Sequence, residues 1–195
     1  MIYHGQPQNT LTSTMLINTF MSLIPIGCLV LLVCVVGIIS ILWTDLKGAP
    51  YVATPRQTVH QMLELAEVGS QDVVYDLGSG DGRVLWLAAQ EFGARAVGVE
   101  IDPFRYAWTK LLIRFKGLRE QVEVIRADFF KVDLSSATVV TAYLLRDTNR
   151  KLIEKLAREL PSGVRVVSRK YIFPDWDLVR EDPIEELYVY RMRSK

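Results

Sequence analysis

Asp72-Val-Val-Tyr-Asp76-Leu-Gly78-Ser-Gly80-Asp81-Gly82-Arg83 leads straight into the apolar-periodic run Val84 to Phe92. Its first half is a short buried-strand pattern, its middle a glycine-punctuated turn, and its end a helix closed by Gly93. The same alternation continues outward. Ala96 to Glu100 reads as a second strand, Pro103 to Phe115 as a helix closed by Gly117, and Val122 to Ile125 as a third strand. Thr138 to Tyr143 is a fourth strand, Thr148 to Glu159 a helix ended by Pro161, and Val164 to Ser168 a fifth strand. Two more short β segments are expected near Leu178–Val179 and Leu187–Tyr190. Upstream, Thr54-Pro55 reads as an N-cap with proline in the first helical position, before a helix carrying Val59, Met62, Leu63 and Ala66 and ending near Gly69. Strands alternating with helices at this spacing predict an α/β fold, an open parallel sheet with crossover helices on both faces.

The rest of the chain has a different character. Of 195 residues, 23 are Lys or Arg and 22 Asp or Glu, and none of these precedes Asp45. Half the residues are hydrophobic, which excludes a disordered acidic or basic tail, a disulfide-stapled mini-domain and a low-complexity chain. A formal net charge of +1 gives no support for a nucleic-acid reader. Residues 1–22 form an uncharged N-terminal segment, and Leu23 to Trp43 reads LIPIGCLVLLVCVVGIISILW without a charge or an amide. A helix of that length spans about 30 Å, the thickness of a bilayer core, so residues 23–43 are expected to be a retained transmembrane helix. A signal peptide would need a positive start and a small-residue cleavage site, and neither is present. Residues 44–54 form a linker, and 55–195 a soluble domain. Lys47 and Arg56 follow the span while no Lys or Arg precedes it, so the domain is expected on the cytoplasmic side of a single-pass membrane protein. Cys28 and Cys34, six positions apart, fall on different helix faces and do not pair with each other.

In an open α/β sheet the ligand lies beyond the carboxyl ends of the strands, where strand order reverses. The turn Gly78-Ser79-Gly80-Asp81-Gly82 sits there, its glycines allowing close backbone approach and the following helix offering free N–H groups. Its GxGxG spacing is one residue tighter than the dinucleotide fingerprint. Asp76 and Asp81 crowd it with negative charge, which repels a diphosphate but welcomes the ammonium and sulfonium of S-adenosylmethionine. Glu100, ending the second strand, is placed to accept from both ribose hydroxyls. Asp128 and Phe129, after the third strand, suit an adenine edge and ring. Taken singly, these residues are equally a helix cap and a solvated strand end; their order and spacing favour a cofactor site.

With those residues in place, the sequence resembles the class I methyltransferases that use S-adenosylmethionine. More narrowly, Pro50-Tyr-Val-Ala-Thr-Pro, Tyr75 to Arg83, Gly98-Val-Glu-Ile101, Asp128-Phe-Phe-Lys-Val-Asp, Ala137 to Leu145 and Arg165-Val-Val-Ser are similar to one small family. It comprises the membrane-anchored lysine methyltransferases of the adenine nucleotide translocase and the ATP synthase c-subunit, with archaeal broad-specificity relatives. The resemblance covers about Ala49 to Arg191. It implies a Rossmann-like seven-stranded sheet whose last strands are antiparallel. It also implies that residues before strand one close over the cofactor, bringing Tyr51 and Thr54 to the site, and it adds Ile101 beside Glu100.

The resemblance makes the acceptor a lysine side chain exposed on a protein, one in or near a membrane, and no nucleic acid. Tyr143, at the end of strand four, is the candidate catalytic residue of the acceptor pocket. Tyr171, Phe173 and Trp176 are either further walls or packing. Thr141-Ala-Tyr-Leu-Leu lacks the acceptor cluster with which base-amine methyltransferases hold a planar amine. No metal site is expected, since His4 and His60 are far apart and no cysteine accompanies them. Two other readings stay open: a methyltransferase for a lipid-soluble small molecule, and a non-catalytic S-adenosylmethionine-binding membrane protein.

Overall fold

The structure, a computed structural model, describes residues 21, 23–39, 52–174 and 176–193. The chain divides into two units, Met1–Leu46 and Lys47–Lys195. In the first, residues 23–39 are helical (α1), with every side chain but that of Val36 exposed. At 1.5 Å per residue this described helix is about 25 Å long. Among the described residues no helix is long and apolar enough to cross a membrane. The described helix covers residues 23–39 of the expected span 23–43, and residues 40–43 lie outside the described residues.

The second unit is a seven-stranded mixed sheet with helices. Its elements are α2 (Arg56–Leu65), β1 (Val73–Leu77), α3 (Arg83–Phe92), β2 (Arg95–Glu100), α4 (Pro103–Phe115), β3 (Val122–Arg126) and a 3-10 turn at Phe129–Lys131. There follow β4 (Val139–Ala142), α5 (Arg146–Glu159), β5 (Arg165–Arg169), β6 (Leu178–Asp182) and β7 (Leu187–Arg191). Strand order is β3-β2-β1-β4-β5-β7-β6. The first five strands pair in parallel, and β7 runs antiparallel to β5 and β6. The seven strands and their antiparallel close match the expectation. The chain winds outward from β1 to β3, then returns to β4 on the other side of β1. That reversal opens a crevice at the carboxyl ends of the central strands.

Each central strand is apolar on both sides because both faces are covered. Val74, Ala96, Val139 and Val167 face the layer of α2, α3 and α4. Tyr75, Leu77, Val99, Val140 and Val166 face the opposite layer, which Leu152 and Leu156 of α5 help to fill. At the strands' amino ends, Arg165 donates to the carbonyls of Ala66 and Glu67 at 2.7 and 2.8 Å and pairs with Asp72, tying the end of α2 to the sheet.

Local chemistry sets the helix ends. The Asp102 carboxylate accepts from the N–H of Phe104 and of Arg105 at 2.8 and 2.9 Å, and Pro103 opens α4. The expected Thr54 cap is not formed. Pro55 occupies the N-cap position of α2 with φ −54 and ψ 146, and no side chain caps it. Thr54 is buried, and its carbonyl is held by Arg83 instead.

Gly98 shows why β2 needs a residue without a side chain. A Cβ there would stand 2.4 Å from Leu85 Cδ1 and 2.8 Å from Ser79 Oγ. Gly98→Ala is therefore expected to cost about 1–3 kcal/mol through overpacking. Gly69→Ala, with nothing within 4 Å of the added carbon, should be near neutral. Urea denaturation of the two variants checks the contrast.

Candidate active site

The turn after β1 is anchored on three sides. Gly78 and Ser79 N–H both donate to the Val99 carbonyl, at 2.9 and 3.0 Å. Gly80 N–H donates to Glu100 Oε2 at 2.8 Å, and Thr109 Oγ1 of α4 donates to the Gly80 carbonyl at 2.9 Å. Gly78, Gly80 and Gly82 have φ of +81, +56 and +76. At Gly82 a Cβ would also lie 2.3 Å from Thr109 Cγ2, so conformation and space both require glycine.

Glu100 is buried, and burial raises its pKa against the backbone bonds that lower it. Its Oε1 accepts from Asp102 N–H at 2.8 Å, so each oxygen is already engaged by backbone. A carboxylate oxygen has a second lone pair, which leaves room for the expected ribose contacts. Asp76 accepts from Thr141 Oγ1 at 2.7 Å. Burial pushes its carboxyl up to about 7; the Thr141 bond opposes this, and the charges of Glu100 and Asp81 add to it.

Asp81 is held differently from the sequence reading. Arg83 Nε lies 2.9 and 3.0 Å from its two oxygens, and the same guanidinium donates to the Thr54 carbonyl. One cation thus offsets part of the negative charge and draws the segment before α2 onto the turn. The role of Arg83 was missed, as were those of Thr109 and Thr141. An Asp-x-Arg at a helix start was the visible signal for Arg83, whereas the two threonines had none. Ser79 Oγ is buried in the turn without a hydrogen-bond partner.

The remaining cofactor candidates lie as follows. Ala127 N–H donates to the Glu100 carbonyl at 3.1 Å, bringing the end of β3 beside that of β2. There Asp128 accepts from Phe130 N–H at 3.0 Å and caps the 3-10 turn, and the Phe129 ring lies 4.8 Å from that of Phe130. Ile101 is 37% exposed just past Glu100. Tyr51 lies outside the described residues. Among the described residues no group of His, Cys, Asp and Glu is arranged to hold a metal. His60 sits 3.3 Å from Glu64 and 3.5 Å from Glu91, as a surface residue would.

At the ends of β4 and β5, Tyr143 is half-buried with the Arg169 guanidinium 4.9 Å from its ring centre. Arg169 is 3.9 Å from Glu185, which accepts from Thr58 Oγ1 at 2.8 Å. Asn149 donates to Ser168 Oγ and the Tyr171 carbonyl at 3.2 and 3.3 Å, while its buried Oδ1 has no partner. Phe173 and Trp176 are packing: their rings stack at 5.0 Å, and Phe173 meets Tyr190 edge-on at 5.6 Å. Tyr171 lies between two cations, Arg146 and Lys170, each 5.9 Å from its ring. A cleft of about 710 Å³ beside β3, lined by Val73, Arg95 and Gln121, opens at the strands' amino ends, away from this chemistry.

The sequence profile described as the ANTKMT methyltransferase domain matches residues 76–180. The chain is 44% identical over 129 residues to a protein-lysine N-methyltransferase of Saccharolobus islandicus, covering 66% of this chain and 80% of that protein. It is 37% identical to the mouse adenine nucleotide translocase lysine N-methyltransferase, covering 67% of this chain and only 56% of that protein. Among solved structures, it is similar to an RNA methyltransferase from Salinibacter ruber in complex with S-adenosyl-L-homocysteine. The TM-score is 0.69 at 44% identity, covering 72% of this chain and 92% of the other.

Asp76 has a consequence for stability. Its carboxyl keeps a proton in the folded, ligand-free state up to about pH 7, whereas the unfolded chain releases it near its ordinary value of 3.8. Between those values the folded state binds more protons, so stability falls as pH rises and levels off above about 7. The ligand-free chain should lose several degrees of melting temperature between about pH 5 and 7.5. Asp76→Asn should flatten that slope, as calorimetric scans of both proteins across the range will show.

Proposed function

The chain belongs to the ANTKMT methyltransferase domain family, and from that membership we propose that it methylates lysine side chains of proteins at a membrane, with S-adenosyl-L-methionine as donor. The observation that carries the cofactor side is the turn itself: buried Asp76 and Glu100 beside an unpartnered Ser79 hydroxyl. Carboxylates buried together at this cost suit a cationic ligand, and a hydroxyl without a partner suits a polar one. The residues fit the donor.

When bound, S-adenosylmethionine supplies a methyl group on a cationic sulfur. The chain's own residues bind and align. Asp76 would hold the ammonium group, and the first N–H groups of α3 would serve the donor's carboxylate. Glu100 would accept from the ribose, Asp128 and Phe129 would hold the adenine, and Ser79, Ile101 and Thr54 would close the cradle; the family resemblance adds Tyr51, which lies outside the described residues. Asp81, through Arg83, keeps the pre-strand segment in place. On the acceptor side, a lysine must lose its proton, which costs about 4 kcal/mol near pH 7.4 from a pKa of about 10.4. Tyr143 orients the amine and shields it from water. The positive charge of Arg169 over the same ring, together with the sulfonium, favours the neutral amine. Alignment for an in-line displacement then supplies the rest.

The relatives named for lysine methylation support a protein acceptor. The description of the Salinibacter structure as an RNA methyltransferase favours a second reading. Against it stand the near-neutral net charge and the absence of an amine-holding acceptor cluster after β4. The uncharged run Leu23–Trp43 and the exposed apolar side chains of α1 support a membrane anchor. Lys47 and Arg56 after that run support a domain on the cytoplasmic side. A tether would raise the effective concentration of membrane-borne targets.

Two measurements test these readings. Incubated with methyl-labelled donor, host membranes and total RNA, the full-length chain should place label in protein as methyllysine. Label confined to lipid or RNA would replace the proposed acceptor, and no label at all would leave a binding protein. Asp76→Ala should abolish labelling while circular dichroism stays unchanged. Calorimetric titration of the donor near pH 6.5 in buffers of different ionisation enthalpy should also show roughly three-quarters of a proton released per donor bound. Cation binding pulls the Asp76 proton off, so Asp76→Asn should release markedly less.

A further inference from the structure

The outer face of α4 is apolar and exposed where a surface helix is ordinarily polar. Phe104, Trp108, Leu111 and Phe115 are 41%, 59%, 47% and 79% exposed. At about 100° per residue their positions fall within about 60° of one another on the helix. Thr109 and Ile113, which are buried, occupy the opposite side. Arg105 and Lys116 flank the stripe on one side, Lys110 and Arg114 on the other. From Pro103 to Arg119 the chain carries five cations and no acidic residue, although its net charge is only +1. Lys110 Nζ donates to Tyr106 Oη at 2.9 Å and lies 5.2 Å from that ring's centre, and Lys116 Nζ lies 4.3 Å from the Trp86 ring centre, so both ammonium groups rest against aromatic rings at the borders of the stripe.

We infer that this face of α4 docks the domain on an anionic lipid surface. An aromatic and aliphatic stripe bordered on both sides by Lys and Arg is the pattern of a helix lying in a membrane interface. Its rings enter the boundary of headgroups and acyl chains, and its cations meet acidic headgroups. A second copy of the same face would bring like charges together. A single-stranded nucleic acid is held in a basic groove by aromatic platforms, whereas this stripe is the convex side of a helix with Leu111 at its middle. The same helix holds the glycine turn from within through Thr109, so docking would present the site to lysines near the bilayer surface in one orientation. The inference goes beyond the proposed reaction and does not require α1 to span the membrane.

The test uses the full-length chain with Cys28 and Cys34 replaced by Ser and a polarity-sensitive fluorophore on a new cysteine. Phe115→Cys reads the stripe. Ile184→Cys, 92% exposed between β6 and β7 at the opposite sheet edge, is the control. On vesicles of phosphatidylcholine with phosphatidylserine, the probe at 115 should shift to the blue and be quenched by lipid-borne quenchers, and the control should not. The shift should be lost on phosphatidylcholine alone, in high salt, and in the double variant Lys110→Glu, Arg114→Glu, whose donor-binding heat shows that it is folded. The salt arm needs no variant at all. Equal behaviour of the two probes, an equal shift on neutral vesicles, or a shift driven by protein concentration or RNA without lipid overturns the inference. Retention on neutral vesicles through an alkaline wash reports separately on the α1 anchor, so failure of one reading is distinguishable from failure of the other.

Discussion

Glu100 accepts the N–H of Gly80 through one oxygen and that of Asp102 through the other. Those bonds join the turn after β1 to the start of α4, across the end of β2. A carboxylate buried among apolar strands costs several kcal/mol unless its lone pairs are used, and two short backbone bonds offset much of that cost. The direction of the side chain is thereby fixed. Only glycine fits at position 82 because Thr109 packs against it, and Thr109 in turn holds the Gly80 carbonyl. The glycine turn is shaped by its neighbours on β2 and α4 as much as by its own residues.

That arrangement concentrates negative charge. Asp76, Asp81 and Glu100 converge on one crevice, with Arg83 bound to Asp81 and the charge of Arg105 acting on Glu100. The folded state accommodates this by keeping Asp76 protonated near neutrality, where a carboxylic acid in water would be ionised. A cation bound beside Asp76 would favour its ionised form. The physical logic favours a sulfonium donor over a phosphorylated coenzyme, and it agrees with the family to which the chain belongs.

The acceptor side is built on different elements. Arg169 and Tyr143 end β5 and β4, Glu185 belongs to the β6–β7 turn, and Thr58 to α2. Four separated pieces of chain are thus linked in a row, from Thr58 through Glu185 and Arg169 to the ring where the substrate amine is proposed to lie. The three aromatics after β5 part company: Phe173 and Trp176 fill the core against Tyr190, whereas Tyr171 keeps two cations near its ring. No periodicity distinguishes them, because the link from β5 to β6 is irregular and its burial is decided by what lies across from it.

The alternation of buried strand and amphipathic helix, the five parallel strands and the glycine turn were legible because each is written in local residue types. Gly93 after Phe92, for example, acts through a neighbour five positions away. The antiparallel β6 and β7, and the nearness of Thr54 to the turn, came only through resemblance to a family. What tertiary structure alone decided are the contacts between distant segments: Asp76 with Thr141, Gly80 with Thr109, Arg169 with Tyr143, and the closeness of Gly98 to Leu85. Tertiary structure also decided that Pro55 rather than Thr54 starts α2, and that the outer stripe of α4 is left uncovered. Hydrophobic pattern and turn chemistry are properties of a few successive residues, so the amino-acid sequence determined the elements. Charge burial and shared hydrogen bonds depend on which elements meet, and that is settled only when the sheet closes.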